Sequence, residues 1–145
     1  MKNLKNQKGF TLIEILVVIG MIALVATIVL IAINPARQFK QGRDTQRQSN
    51  VNAILNAIGQ YIADNKGALP SGIPVAPTTA DVVVLCSALM PTYLPSLPVD
   101  PSVTTGSITN CTGAPNTLYK VSEDANNRIT VAAVGEITSS ISVTR

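Results

Sequence analysis

The apolar run that begins at Phe10, together with the residues just before it, decides the fold of this chain. Residues 8–34 read KGFTLIEILVVIGMIALVATIVLIAIN. Residues 10–33 are 24 positions that carry a single charged side chain, Glu14. A helix of that length covers roughly 36 Å, which is enough to cross a hydrocarbon core of about 30 Å. The sequence therefore predicts a membrane-spanning helix over residues 10–33.

A short basic leader precedes this predicted span. Residues 1–9 read MKNLKNQKG and contain Lys2, Lys5 and Lys8. Positive charges flank the cytoplasmic end of a membrane helix, so the remainder of the chain is expected on the far side. A cleavable secretory signal would have an apolar region of about 7–15 residues closed by small residues. This run is longer and is closed by Asn34-Pro35, which disfavours such a signal.

The composition narrows the classes of function. Hydrophobic residues make up 46% of the 145 residues and charged residues 13%. There is no His, the commonest general base and metal ligand, which argues against an enzyme. The formal charge of +3 arises in the leader, because the bases and acids beyond residue 9 balance. The basic pI near 9.1 is therefore no indication of nucleic-acid binding.

A second, amphipathic helix is predicted over residues 34–66. Pro35 lacks an N–H and clashes with the preceding turn, so it should interrupt or kink a helix that otherwise runs on nearly continuously. Gly67, followed by Pro70, marks the end. Apolar residues recur at helical spacing on one face, and the other face is polar. The apolar stripe consists of Val51, Ile54, Leu55, Ile58, Tyr61 and Ile62.

The remaining residues, 67–145, predict a small globular region. Eight of the nine Pro fall within residues 67–117, which indicates a turn-rich segment. A short helix is expected at residues 79–89, with Thr79 as its cap and Val83, Val84 and Leu85 packed inward. Short antiparallel strands are expected at residues 118–121, 128–134 and 141–144. The predicted fold class is α+β, a long N-terminal helix packed by its second half on a small antiparallel sheet.

Cys86 and Cys111 are expected to form a disulfide, because both lie on the exported side of the membrane. The bridge would close a loop of about 25 residues and add roughly 3 kcal/mol of stability. Two Cys without His make an incomplete metal site, so neither a metal nor another cofactor is expected.

Three charged features each have more than one interpretation. Glu14 either reaches the water at the membrane surface or awaits a positive partner in an apolar setting. The basic stripe of Lys40, Arg43 and Arg47 is a solvated helix face, or it contacts lipid headgroups or acids of a neighbouring subunit. DNA binding is a third option, which lacks the support of interleaved aromatic residues. The acidic residues 123–124 belong to a hairpin turn, or with the Asn residues that follow they ligate calcium.

The N-terminal segment resembles the processing site of type IV prepilins and type II secretion pseudopilins. The resemblance lies in Lys8-Gly9-Phe10-Thr11-Leu12-Ile13-Glu14, and it combines a basic leader, the Gly-Phe junction, Glu14 and a long apolar helix. It is strong over residues 8–33, fair to about residue 70 and weak beyond.

The resemblance implies how the chain is processed and assembled. A prepilin peptidase would cut between Gly9 and Phe10 and methylate Phe10. Glu14 would then pair with the Phe10 ammonium of a neighbouring subunit and set the axial register of a helical homopolymer. The precursor would sit in the inner membrane, and the product in a cell-surface pilus or a periplasmic pseudopilus. An assembly ATPase, a membrane platform protein and minor pilins are the implied partners, with DNA or secreted cargo as further ones.

We therefore predict a structural subunit of a type IV pilus-like filament rather than an enzyme. The first alternative is a pseudopilin of a type II secretion system, and a DNA-uptake pilin is a third variant. A rival from another class is a single-pass anchored enzyme or binding module, which would keep its leader and remain a monomer.

Overall fold

The computed structural model describes residues 9–145, so the leader residues Lys2, Lys5 and Lys8 lie outside the described part of the chain. The fold is α+β. Two compact units are present, one ending at Gln38 and the other comprising Phe39–Arg145. In order, the elements are α1 (Leu12–Ile33), α2 (Pro35–Asp64), β1 (Ala80–Asp81), a 3₁₀ turn (Val82–Leu85), α3 (Cys86–Leu89), β2 (Lys120–Glu123), β3 (Ile129–Ala133) and β4 (Ile141–Thr144).

Helix α1 is apolar apart from Glu14 and the small polar Thr27, and among residues 9–145 none of its 22 residues is buried. Within residues 9–145 it is the one helix long and apolar enough to cross a membrane. Its length of roughly 33 Å matches the hydrocarbon thickness of a bilayer. Large aliphatic side chains with no intramolecular partner require lipid or another protein to cover them. Lipid or other protein is therefore the expected cover for α1.

The two helices are separated by a single residue, Asn34. Its φ of 45° and ψ of 78° place it in the left-handed region, where Asn is tolerated better than most residues. Pro35 is the first residue of α2, a position whose N–H would have no helical partner in any case. The ring of Pro35 disfavours the helical conformation for the residue before it, so the break falls at Asn34.

The second unit has one hydrophobic core, to which α2 contributes its apolar stripe. Val51, Ile54, Leu55 and Ile58 are buried, as the helical spacing predicts. They belong to the same cluster as Val82, Leu85, Tyr119, Val121 and Val131. Tyr61 and Ile62, at the end of the stripe, are only partly buried against this core.

The segment expected to be a helix at residues 79–89 is built differently. Ala80 and Asp81 pair with Val121 and Lys120 as a short strand, so helical structure begins only at Val82. The predicted cap, Thr79, is wrong: the carboxylate of Asp81 accepts a hydrogen bond from the Val83 N–H at 3.0 Å. Val84 does not pack inward either, since 47% of its surface is exposed. The strand pairing fixes where the helical turn begins and thereby rotates Val84 outward.

The sheet is antiparallel with strand order β1-β2-β3-β4. In the β2–β3 pair Val121 lies opposite Val131, and in the β3–β4 pair Ala133 lies opposite Ile141. Strand β3 alternates buried and half-buried residues, which is typical of a sheet with one face against a core. β2 begins at Lys120, two residues later than predicted, and extends to Glu123.

Cys86 and Cys111 are joined by a disulfide, with their Cα atoms 5.6 Å apart. The bond ties α3 to the loop before β2, a stretch in which the chain forms little regular structure. It closes a loop of 25 residues.

Replacing both cysteines by Ala is expected to lower the free energy of unfolding by roughly 3 kcal/mol, because the unfolded chain regains the freedom of that loop. Thermal unfolding of the full chain in detergent micelles measures this, with reduction of the unaltered protein as an independent route. A reducing agent that leaves the unfolding temperature of the double Ala variant unchanged controls for other effects. An equal unfolding temperature for the variant and the unaltered protein would contradict the prediction.

Candidate functional site

Gly9, Phe10 and Thr11 form an exposed segment without regular structure that leads directly into α1. Phe10 exposes 86% of its surface, and an added Cβ at Gly9 would meet no atom within 4 Å. A peptide bond in an extended, accessible segment can enter a protease cleft, whereas one inside a helix has to be unwound first. The Gly9–Phe10 bond thus lies outside the helix, in an exposed segment.

Thr11 and Glu14 are joined by a reciprocal set of hydrogen bonds at the start of α1. The hydroxyl of Thr11 accepts from the Glu14 N–H at 3.3 Å. In return, the Thr11 N–H and hydroxyl donate to Oε2 of Glu14, at 2.8 Å and 2.9 Å. This is a capping box, in which a Thr and a Glu three residues apart satisfy each other's backbone N–H groups.

These hydrogen bonds add a third possibility for Glu14, beside reaching water or awaiting a positive partner: its carboxylate is bonded to the start of its own helix. The carboxylate is neither a bare charge nor bonded only to water, because the preceding turn already donates to one of its oxygens. The signal was present in the sequence as the Thr-x-x-Glu spacing just before an apolar run. Both predicted interpretations of Glu14 treated it as an isolated charge and left out the capping role of Thr11.

The largest group of ionic contacts in the second unit surrounds Arg47. The Arg47 guanidinium donates to Oδ2 and Oδ1 of Asp100 at 2.7 Å and 2.8 Å. It also donates to Asp44 at 2.8 Å and to Glu136 at 3.0 Å. Arg43, one helical turn earlier, contacts Glu136 through two further bonds of 2.6 Å and 2.5 Å. We call these five residues the Arg47 cluster.

The carboxylate of Asp44 holds the loop between β3 and β4 against α2. It accepts hydrogen bonds from the backbone N–H groups of Glu136, Ile137 and Thr138 at 2.8, 2.8 and 3.2 Å. The turn is tight at Gly135, where an added Cβ would lie 2.1 Å from the carbonyl oxygen of Thr138. The Arg47 cluster therefore fixes two distant loops on one helix.

The interpretation of Lys40, Arg43 and Arg47 as a solvated basic stripe is wrong for Arg47, of which only 2% is exposed. Asp44 is also buried, although both residues fall on the helix face that the sequence marked as polar. Every charged group of the cluster is paired within the protein, which suits a structural role.

The acids of the Arg47 cluster have lowered pKa values, so they stay ionised at pH values far below neutral. Burial opposes ionisation of Asp100, but the hydrogen bonds from Arg47 and Ser102 outweigh it and lower its pKa to about 2. Hydrogen bonds from Arg43, and then from Arg47, lower the pKa of Glu136 to about 2. The backbone N–H of Glu136 is the main cause that holds the pKa of Asp44 well below its usual range.

These shifts predict acid sensitivity of the second unit. A carboxyl whose pKa is depressed in the folded state stabilises that state above its unfolded pKa and loses this contribution as the pH falls through its folded pKa. We expect an unfolding temperature that is flat from pH 7 to about 5 and declines between about pH 4.5 and 2. Circular dichroism melts across this range check the shape of the curve, which should be shallower for Arg47→Met. A decline of the unfolding temperature with its midpoint near neutral pH would contradict the attribution of acid sensitivity to these carboxyl groups.

In the acidic turn after β2, the carboxylate of Asp124 finds its hydrogen-bond donors within the turn. Oδ1 of Asp124 accepts from the backbone N–H groups of Asn126 and Arg128 at 2.8 Å and 2.9 Å. Its Oδ2 accepts from the Arg128 guanidinium at 2.7 Å. These contacts match the hairpin-turn interpretation of this segment. Across the described residues, 9–145, no group of three or more carboxylate or thiol side chains is placed to hold a metal ion.

The N-terminal segment matches a known family model. A family model described as the prokaryotic N-terminal methylation motif covers residues 4–30. No curated protein and no solved structure matches the chain. The matched segment contains Gly9, Phe10, Thr11 and Glu14 and most of α1, and it stops before the Asn34 break. The motif implies processing by a prepilin peptidase and assembly into a filament in general terms, and it indicates a structural subunit rather than an enzyme.

The apolar N-terminal helix and this motif together fit a membrane-anchored precursor. Residues 4–30 carry the prokaryotic N-terminal methylation motif, which is the class III signal peptide of type IV pilins and pseudopilins.

Proposed function

We propose that the chain is the precursor of a structural subunit of a type IV pilus-like filament. It is stored in the inner membrane through α1, cut between Gly9 and Phe10, methylated at Phe10, and polymerised through α1. The observation that carries the proposal is the methylation motif on a helix of 22 residues, none of which is buried within the chain.

The exposed aliphatic side chains of α1 need to be covered both in the stored precursor and in the filament. In the stored precursor, lipid chains cover its aliphatic side chains at no cost in hydrogen bonds, because the helix satisfies its own backbone. In a filament, the same side chains pack against copies of α1 and lose their contact with water. Both states are compatible with one sequence because α1 beyond Glu14 is apolar on every side.

Glu14 supplies what apolar packing lacks, which is register. Sliding one aliphatic helix along another changes the packing energy little, whereas an unpaired carboxylate in a dry interior is costly. Cleavage creates an ammonium at Phe10, and pairing it with Glu14 of a neighbouring copy favours one axial offset. We propose the Phe10 ammonium and the Glu14 carboxylate as the assembly contact.

The partners of this process are a prepilin peptidase, an assembly ATPase and a membrane platform protein, with minor pilins in the same filament. A pseudopilin of a type II secretion system would use the same motif and the same α1 chemistry. The genes beside the coding sequence separate the two: a secretin with a secretion ATPase indicates the pseudopilin, and a retraction motor indicates the pilus. DNA is the further partner of a DNA-uptake pilus, and secreted cargo is the further partner of a pseudopilus.

Mass spectrometry of the mature protein tests the processing step. We expect a chain that begins at Phe10 and carries one added methyl group on its terminal nitrogen. Electron microscopy of sheared surface fibres, with peptides of the second unit identified in them, tests polymerisation. An intact Met1 in the membrane fraction together with a monomeric state would favour the anchored enzyme or binding module instead.

A further inference from the structure

The carboxylate of Glu14 is held from one side only. Both donors of Thr11 contact the same oxygen, Oε2, at 2.8 Å and 2.9 Å. Oε1 accepts no hydrogen bond from the residues that the structure describes. The side chain is thus attached at one oxygen to its own helix and has the other oxygen available for a second partner.

This asymmetry matters because a long acidic side chain has several rotamers. Two donors on Oε2 restrict the side chain to conformations that bring it back over the first turn, and this removes most of the entropy that a later contact would otherwise have to overcome. The backbone N–H of residue 11 is present in any variant, but the hydroxyl is particular to Thr or Ser. The hydroxyl also accepts from the Glu14 N–H, at 3.3 Å, so it ties both ends of that residue.

We propose that Thr11 is a positioning residue for the assembly contact of Glu14. It keeps Oε2 engaged within the subunit and thereby presents Oε1 to the ammonium of a second copy. The capping box is retained when the contact forms, because a carboxylate can accept from two directions at once. This inference rests on the proposed function, since it needs a neighbouring copy to supply the ammonium.

A purely structural role for Thr11 makes a different prediction. A residue that only starts α1 contributes the same amount whatever stands at position 14, so its loss would combine additively with a change there. A positioning residue acts through Glu14, so its loss should have no further effect once the charge of Glu14 is gone. A double-mutant cycle separates the two.

The experiment uses the full-length chain in cells that assemble it, with tagged variants co-expressed beside the untagged chain so that incorporation stays measurable. The quantity measured is the tagged fraction in sheared fibres divided by the tagged fraction among cleaved chains in the membrane. The variants are Thr11→Val, Thr11→Ser, Glu14→Gln and the Thr11→Val/Glu14→Gln double variant. Counting only cleaved chains removes any effect of Thr11 on processing, and Thr11→Ala replaces Thr11→Val if the latter is not cut.

We expect Thr11→Val to reduce incorporation roughly tenfold, as the loss of one charge-assisted hydrogen bond implies, and Thr11→Ser to restore it. Glu14→Gln should reduce incorporation more, and the double variant should match Glu14→Gln alone. The inference is overturned if Thr11→Val incorporates normally, or if it lowers incorporation by the same factor in the Glu14→Gln background. Normal incorporation of Glu14→Gln would instead refute the assembly contact in the proposed function.

Discussion

Replacing Arg47 with Met is expected to lower the free energy of unfolding of the second unit by about 3–5 kcal/mol, because it leaves buried carboxylates without their partner. Arg47 is 2% exposed and donates to Asp44, Asp100 and Glu136. Asp44 and Asp100 are themselves buried and would have to bind protons or admit water. Thermal and urea unfolding of the full chain in micelles, followed by circular dichroism, measure the loss.

Arg43→Met is the matched control, since it removes an Arg from the same helix one turn away. The Arg43 side chain is 37% exposed and its contact with Glu136 is open to solvent, so we expect a much smaller loss than for Arg47→Met. Arg47→Lys keeps the charge but cannot bond both oxygens of Asp100, and it should fall between the two. Equal losses for Arg47→Met and Arg43→Met would show that burial of the cluster has been misjudged.

Replacing Glu14 with Ala is expected to leave membrane insertion intact and to reduce filament yield at least tenfold. Insertion depends on the apolar character of α1, which the substitution increases. In the proposed filament, Glu14 is the partner of the Phe10 ammonium. A charge without its partner in a dry interior costs at least ~2 kcal/mol, which exceeds a factor of ten. The measurements are the membrane-bound amount of cleaved chain and the amount of subunit in sheared fibres.

Thr27→Ala provides a control for loss of a polar side chain inside the same helix. The Thr27 hydroxyl bonds only to the carbonyl of Ala23, at 2.9 Å, and it carries no charge. Its replacement should leave filament yield within about twofold of the unaltered chain. A Glu14→Ala variant that assembles as well as Thr27→Ala would count against the proposed register contact.

Much of the fold followed from local pattern. The 22 residues of α1 are almost all aliphatic, so composition alone marked a helix that is long and apolar enough to cross a membrane. The spacing of Val51, Ile54, Leu55 and Ile58 gave the buried face of α2, because helical periodicity relates residues three and four apart. The turn between β2 and β3 was recognisable from its acidic and amide residues.

Most of the candidate site could also be predicted from the sequence. The Gly9–Phe10 junction, Glu14 and the apolar run are contiguous, and their contacts join residues at most a few positions apart. Even the capping role of Thr11 follows from a three-residue spacing, although our reading of the sequence passed over it. Local chemistry of this kind needs no knowledge of the rest of the chain.

The tertiary structure alone decided which charges of α2 are buried. Arg43, Asp44 and Arg47 lie on a face that looks polar by periodicity, and nothing near them in sequence marks Arg47 as different from Lys40. The partners of Arg47 are 53 residues away at Asp100 and 89 residues away at Glu136. Pairing across such separations depends on how the loops return to the helix, which is a property of the folded chain.

The short strand at Ala80–Asp81 was likewise decided by contacts between segments that are distant along the chain. Two residues have no strand pattern of their own, and their pairing with β2 exists only because the sheet edge is there to receive them. The sequence by itself thus determined the span, the processing motif and the apolar face of α2, because each depends on neighbours along the chain. The burial of Arg47 and the start of the turn at Val82 were decided by contacts between distant segments, whose energies no local pattern encodes.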